Sequence, residues 1–195
     1  MKQIKNITKR FAAFTLIELL VVISIIAILA SLALPAVTGA LVKGQIAQTV
    51  SNYRQLFVLT QSASLDNQTA GGAGAFPGDL SGTNSGVSGW SNTLVPAYCS
   101  AVTFNSMGSV KGQATNTTVW LIKSSEDPAT LFLSSAGISG SGGSGTLTFA
   151  STGPYGAKGG AFVTLGGSAV SITGSNSPTL TNGSALISSN GQAAF

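Results

Sequence analysis

The chain contains no histidine, and that removes a good deal of chemistry. Ser–His and Cys–His nucleophilic pairs, His-ligated zinc and the commonest general base are all excluded. The acids are Glu18, Asp66, Asp79, Glu126 and Asp127. Glu126 and Asp127 are adjacent, which suits a helix start better than a pair of catalytic carboxylates. The single cysteine, Cys99, cannot close an intramolecular disulfide and reads as a small buried hydrophobe. Gly140–Gly145 lacks both the lysine and the strand–loop–helix setting of a phosphate loop. Asn67, Asn116 and Asn182 open glycosylation sequons in form only. No enzyme is expected from this inventory. The residue with most to explain is Glu18, because of where it stands.

From Leu19 to Val42 the chain carries no charge over 24 residues. At a rise of about 1.5 Å per residue, such a helix crosses a hydrocarbon core of about 30 Å. Val21, Val22, Ile23, Ile25, Ile26 and Ile28 would suit a strand in water. In lipid a lone span must be a helix, because every backbone group has to be satisfied within the segment. Lys2, Lys5, Lys9 and Arg10 precede the span, and Lys43 alone follows it closely. That asymmetry predicts a cytoplasmic start and an exported remainder. A carboxylate at the head of such a span is costly and needs a partner or a task. The span holds no cation to serve. An amine freed by cutting the chain before Phe14 would lie four residues from Glu18, on the same helical face, and it could belong to this chain or to a neighbour. Solvation of Glu18 at headgroup depth is the plainer alternative.

Ala13-Phe14-Thr15-Leu16-Ile17-Glu18-Leu19-Leu20-Val21-Val22 resembles the prepilin cleavage and methylation motif of type IV pilins and type II secretion pseudopilins. The resemblance implies cleavage between Ala13 and Phe14 by a membrane aspartic prepilin peptidase, followed by N-methylation of Phe14. It implies that Glu18 pairs with a neighbour's terminal amine during assembly. Ala13 departs from the commoner glycine before the cut, although it remains small. Pro35, about two-thirds along the span, matches a proline recurring in the family and predicts a kink. Partners implied are the peptidase, other copies or related pilin-like subunits, an assembly platform and the inner membrane. No cofactor is implied beyond a candidate calcium site, which would use Asp79 or Asp127 with loop carbonyls. Many type IV pilins close a C-terminal loop with a disulfide, and one cysteine cannot do so here.

The formal charge of +4 belongs to the leader: residues 1–13 hold four cations, leaving five against five acids. The exported part therefore offers no basic stripe to nucleic acid, and none is expected as a partner. Past Lys43, Ile46, Val50, Tyr53 and Phe57, with Leu56, form one apolar stripe at helical spacing. The expected organisation is a leader over 1–13 and a long helix over 14–65, its transmembrane half being 14–42. An exported α+β domain would fill 66–195, with the helix packed on a small antiparallel sheet.

Within that domain, 66–89 reads as loop, rich in Gly, Asn and Ser. Thr117–Ile122 reads as a strand. Asp127-Pro128 predicts the cap and first turn of a short helix over 129–135. Thr146–Ala150, Ala161–Leu165, Ser168–Thr173 and Ala185–Ser188 read as strands, with Gly166-Gly167 a hairpin turn.

The expected function is a structural filament subunit, of a type IV pilus or a type II secretion pseudopilus. A second reading is a tethered or tip-located binding module presenting Trp90, Tyr98, Trp120 and Tyr155. A third is a soluble secreted protein cut by signal peptidase near Ser31-Leu32-Ala33.

Overall fold

The structure is a computed structural model that describes residues 14–81, 85–113, 116–140, 147–149, 153–173 and 192–195. It divides into two units at the boundary between Leu41 and Val42.

The first unit is the leading part of helix α1, which as a whole runs from Leu16 to Thr69 and continues through Pro35. Every large apolar side chain from Phe14 to Leu41 is exposed, from 47% at Val21 to 88% at Leu16. An apolar surface of this extent in water would be heavily penalised, at about 25 cal/mol per Å². It belongs in lipid or against other helices. The hydroxyls within it turn back on the helix: Ser24, Ser31 and Thr38 each donate to the carbonyl three residues earlier, at 2.7, 2.8 and 2.9 Å. They thus meet an apolar medium with their donors already satisfied.

The second unit is an α+β domain built on the rest of α1. Buried positions on this part of the helix are Ile46, Thr49, Tyr53, Leu56, Thr60, Ala63 and Ser64. Their three- and four-residue steps put them on one face. The stripe is centred slightly differently from the apolar one read in the sequence, with Val50 and Phe57 only half-buried at its margin. Its polar members have partners. Thr49 Oγ1 lies 2.5 Å from Tyr155 Oη, Tyr53 Oη lies 2.8 Å from Thr117 Oγ1, and Trp90 Nε1 donates to Thr60 Oγ1 at 2.9 Å. Burial without such bonds would be costly.

Against this face lies a five-stranded antiparallel sheet. In chain order its strands are β1 (Thr117–Trp120), β2 (Leu131–Ser135), β5 (Gly159–Thr164), β6 (Ala169–Thr173) and β7 (Gln192–Ala194). They lie in the order β6-β5-β2-β1-β7. A separate two-stranded ladder pairs β3 (Ile138–Gly140) with β4 (Leu147–Phe149). Strands β2 and β5 are buried along their whole length, so Leu131-Phe132-Leu133 shows no inside–outside alternation. The β5–β6 hairpin turns through Leu165-Gly166-Gly167, closed by Thr164 and Ser168 (N–H to O, 3.0 Å), with Gly167 at φ +78°. That is the glycine turn expected from the sequence.

Two expectations for the domain are corrected. Residues 129–135 do not form a helix. Asp127 does act as a local cap, its Oδ1 accepting from Ala129 N at 2.7 Å, and Thr130 N bonds back to Asp127 O at 2.9 Å. That closes a tight turn, after which the chain enters β2 and gains ladder partners on both sides, β1 and β5. Pairing and burial at the sheet centre outweigh the local helix signal. Residues 66–89 are also not all loop. α1 continues to Thr69, and a second helix, α2 (Gly86–Leu94), buries Trp90 and Leu94 one turn apart. A third, α3 (Ala101–Gly108), is capped by Ser100, which accepts from Thr103 N at 3.1 Å, and buries Phe104 and Met107. The expected strand at Ala185–Ser188 lies outside the described residues.

The chain's last aromatic closes this core. Phe195 stacks on Phe104 at 5.0 Å between ring centres and meets Trp90 edge-on at 6.0 Å. Trp90 in turn packs edge-on against Phe132 at 5.3 Å.

Candidate functional site

The residues singled out in the sequence gather at the start of α1. Thr15 is the last residue before the helix, and its carbonyl accepts from Leu19 N at 3.3 Å. Thr15 Oγ1 accepts from Glu18 N at 3.3 Å. In return Glu18 Oε2 accepts from Thr15 N at 2.9 Å and from Thr15 Oγ1 at 2.6 Å. This is a capping box: two backbone donors that the helix cannot satisfy internally are satisfied reciprocally by side chains. The acid also stands in the first turn, where the helix dipole favours negative charge.

The sequence reading sought a partner for Glu18 in an amine. The structure supplies one in Thr15. The Thr-x-x-Glu spacing before an apolar run is the sequence signal of this cap. One Glu18 oxygen, Oε2, carries both bonds from Thr15, and among the described residues no bond is made by Oε1. Phe14 precedes the cap and is 74% exposed. Ala13 and the basic leader lie outside the described residues. Pro35 sits inside α1, with Thr38 Oγ1 donating to its carbonyl at 2.9 Å.

Residues 8–34 match the prokaryotic N-terminal methylation motif. This motif is the signature of type IV pilins and pseudopilins. It spans the end of the basic leader, the capping box and most of the exposed apolar run. It points to a structural protein processed by a prepilin peptidase and anchored in a membrane before it assembles with other pilin subunits. No curated protein and no solved structure matches the chain.

The other candidate residues are occupied elsewhere. Trp90, Trp120 and Tyr155 are at most 4% exposed, and Trp120 Nε1 donates to Ser134 Oγ across the sheet at 3.0 Å. Tyr98 Oη donates to Asp66 Oδ2 at 2.6 Å, tying the α2–α3 connection to the end of α1. That bond holds the Tyr98 proton in place and raises its pKa. These four aromatics do not form a shared exposed surface.

Asp79 staples a loop. Its oxygens accept from Ser124 N at 3.0 Å, from Ser124 Oγ at 3.2 Å and from Phe76 N at 3.3 Å. Gly74 lets the chain pass beside this carboxylate, where a β-carbon would collide with Asp79 Oδ2 and Ser124 Oγ. Asp127 is engaged in the turn before β2. Cys99 is half-buried, and desolvation raises its thiol pKa, as expected for a packing residue rather than a reactive one.

Proposed function

We propose that this chain is a structural subunit of a type IV pilus-like or type II secretion pseudopilus filament. The observation that carries the reading is the exposed apolar helix headed by a capped glutamate, inside the methylation motif. Before assembly the helix from residue 14 to 42 anchors the protein in the inner membrane. The leader faces the cytoplasm and the domain is exported, into the periplasm and then to the cell surface as filament. Prepilin peptidase cuts between Ala13 and Phe14 and the Phe14 amine is methylated. Assembly on a membrane platform then moves the apolar helix from lipid to neighbouring helices, so its apolar surface stays out of water throughout.

Glu18 has two tasks on this reading. Its Oε2 closes the cap with Thr15, and its remaining acceptor capacity takes the terminal amine of a neighbour's Phe14. The charge pair then sets the axial register between subunits in a medium where an unpaired charge is costly. Pro35 removes one backbone hydrogen bond, to the Ser31 carbonyl, and gives the helix a place to bend as it packs.

The two tasks separate experimentally. Glu18→Ala removes cap and charge together, whereas Thr15→Val removes only the cap hydroxyl. Both variants should insert into the membrane. Glu18→Ala should leave no sedimentable filament, and Thr15→Val should assemble. Normal filaments from Glu18→Ala chains would refute the pairing. Equal failure of the two variants would reduce Glu18 to a helix cap.

A further inference from the structure

The domain holds a polar cleft lined by residues outside the apolar segment of α1. It is a cavity of about 450 Å³ between the second half of α1 and the end of α3, within the size range of small-molecule sites. Gln45, Gln48 and Asn52 line it from α1, at three- and four-residue steps on one helical face. Asn105, Ser106 and Ser109 line it from α3 and its end. Thr49 and Tyr155, hydrogen-bonded to each other at 2.5 Å, complete the lining with Lys111 and Gly112.

We propose that this cleft binds a neutral saccharide. The chemistry of the lining selects that class. The carboxamides of Gln45, Gln48, Asn52 and Asn105 make no hydrogen bond among the described residues. Each offers an acceptor oxygen and two N–H donors. Sugar hydroxyls both donate and accept, and such amides satisfy them on both counts.

The hydroxyls of Ser106 and Ser109 donate to Thr103 O at 2.9 Å and Asn105 O at 2.6 Å. Their lone pairs are left to accept from a ligand. No acid lines the cleft, so it has nothing to hold a cation. Its one cation is held at the rim: Lys111 Nζ gives one of its three donors to Pro154 O at 2.5 Å and lies 5.2 Å from the centre of the Tyr155 ring. An anion would meet a single ammonium among carboxamides that each also present an acceptor oxygen, and an apolar ligand would leave the carboxamides unpaired.

The cleft is also held in shape before any ligand arrives. Val110 and Gln113 pair through reciprocal backbone bonds of 3.1 Å, with Lys111 at φ +52° and Gly112 at φ +76° between them. This two-residue turn with both central residues left-handed is a rigid hairpin connection, and it fixes Lys111 over Tyr155. The pair is tied further to the α1 backbone: with Thr49 Oγ1 donating to Tyr155 Oη, the Tyr155 hydroxyl donates to Gln45 O at 3.3 Å. Preorganisation of this kind lowers the cost of binding.

The test uses the full chain in phosphocholine micelles, which avoids sugar-headed detergents, with side-chain amides observed by ¹⁵N NMR. The probes are chitotriose and cellotriose, with trigalacturonic acid as the anionic comparison. A neutral probe should give saturable shifts at the carboxamides of Gln48, Asn52 and Asn105. Loss of one neutral hydrogen bond, in Asn52→Ala or Asn105→Ala, should weaken binding by about two- to tenfold. Backbone spectra of both variants should otherwise match the parent, which shows that the fold is kept. The absence of saturation by either neutral probe would overturn the proposal. So would binding that survives both substitutions, or a preference for trigalacturonic acid that Lys111→Ala abolishes. Filament formation plays no part in the readout, so this result and the assembly result fail independently.

Discussion

Thr60→Val isolates the bond that fastens α2 to α1. Thr60 and Trp90 are both fully buried, and Trp90 Nε1 donates to Thr60 Oγ1 at 2.9 Å. Valine has nearly the shape of threonine, so little cavity is created and the main loss is the acceptor. The indole N–H is left buried without its partner, at a cost of about 1–3 kcal/mol. Thr60 also donates to Leu56 O at 2.8 Å, but that carbonyl keeps its ordinary helical partner and adds little. For a domain of this size each kcal/mol lowers Tm by about 2–4 °C, so the expected loss is about 2–12 °C. Thermal unfolding by far-UV circular dichroism in micelles reads the domain's transition.

A double-mutant cycle makes the argument sharper. In a Trp90→Phe background there is no N–H to orphan, so Thr60→Val should then cost much less, with a coupling energy of about 1–2 kcal/mol. Thr60→Ser keeps the acceptor, loses one methyl, and should cost only about 0.5–1.5 kcal/mol. If Thr60→Val is as stable as the parent, or costs the same with Phe at position 90, the hydrogen bond is not what holds α2 in place.

Three further outcomes follow from the same geometry. Burial raises the phenol pKa of Tyr53 well above its usual value, and that of Tyr155 also rises, burial outweighing the hydrogen bond from Thr49. The unfolded chain therefore loses these protons first, and stability present below about pH 10 should fall above it. The slope approaches about 1.4 kcal/mol per pH unit per tyrosine; urea titrations at several pH values should show it, and Tyr53→Phe should flatten it. Asp79→Ala strips the acceptor from Ser124 N, Ser124 Oγ and Phe76 N and should cost about 1.5–3 kcal/mol, with faster hydrogen exchange at Ser124. A β-carbon at Gly108 would overlap the Phe195 ring, so Gly108→Ala should destabilise by about 1–3 kcal/mol. In a Phe195→Ala background the same change should be nearly neutral, measured as Tm.

The sequence was legible where one signal dominated. The uncharged run, the Thr117–Trp120 strand and the Gly166-Gly167 hairpin each had a composition with a single physical reading. It misled where a local signal competed with distant partners. Asp127-Pro128 does make a cap-like turn, but Leu131-Phe132-Leu133 is claimed by β1 and β5, and nothing local announces them. The buried face of α1 lies slightly off the apolar stripe because its members Thr49, Thr60 and Ser64 carry no hydropathy signal. They are buried because Tyr155 and Trp90 supply partners for Thr49 and Thr60 more than 25 residues away. The pairing of β7 with β1 is non-local in the same way, joining Trp120 to Gln192. At the site, Glu18 stood out by its charge, and its cap was written in the Thr15–Glu18 spacing. The polar cleft was invisible, since its carboxamides come from α1 and α3, far apart in sequence.

The central claim is that the exposed helix becomes a processed anchor beginning at Phe14. Mass spectrometry of the mature N-terminus, from cells that contain a prepilin peptidase, tests it most directly. The account predicts a chain that begins with N-methylated Phe14 and retains the whole apolar helix. A chain that begins near Leu34, with the capping box and most of the span removed, would contradict it.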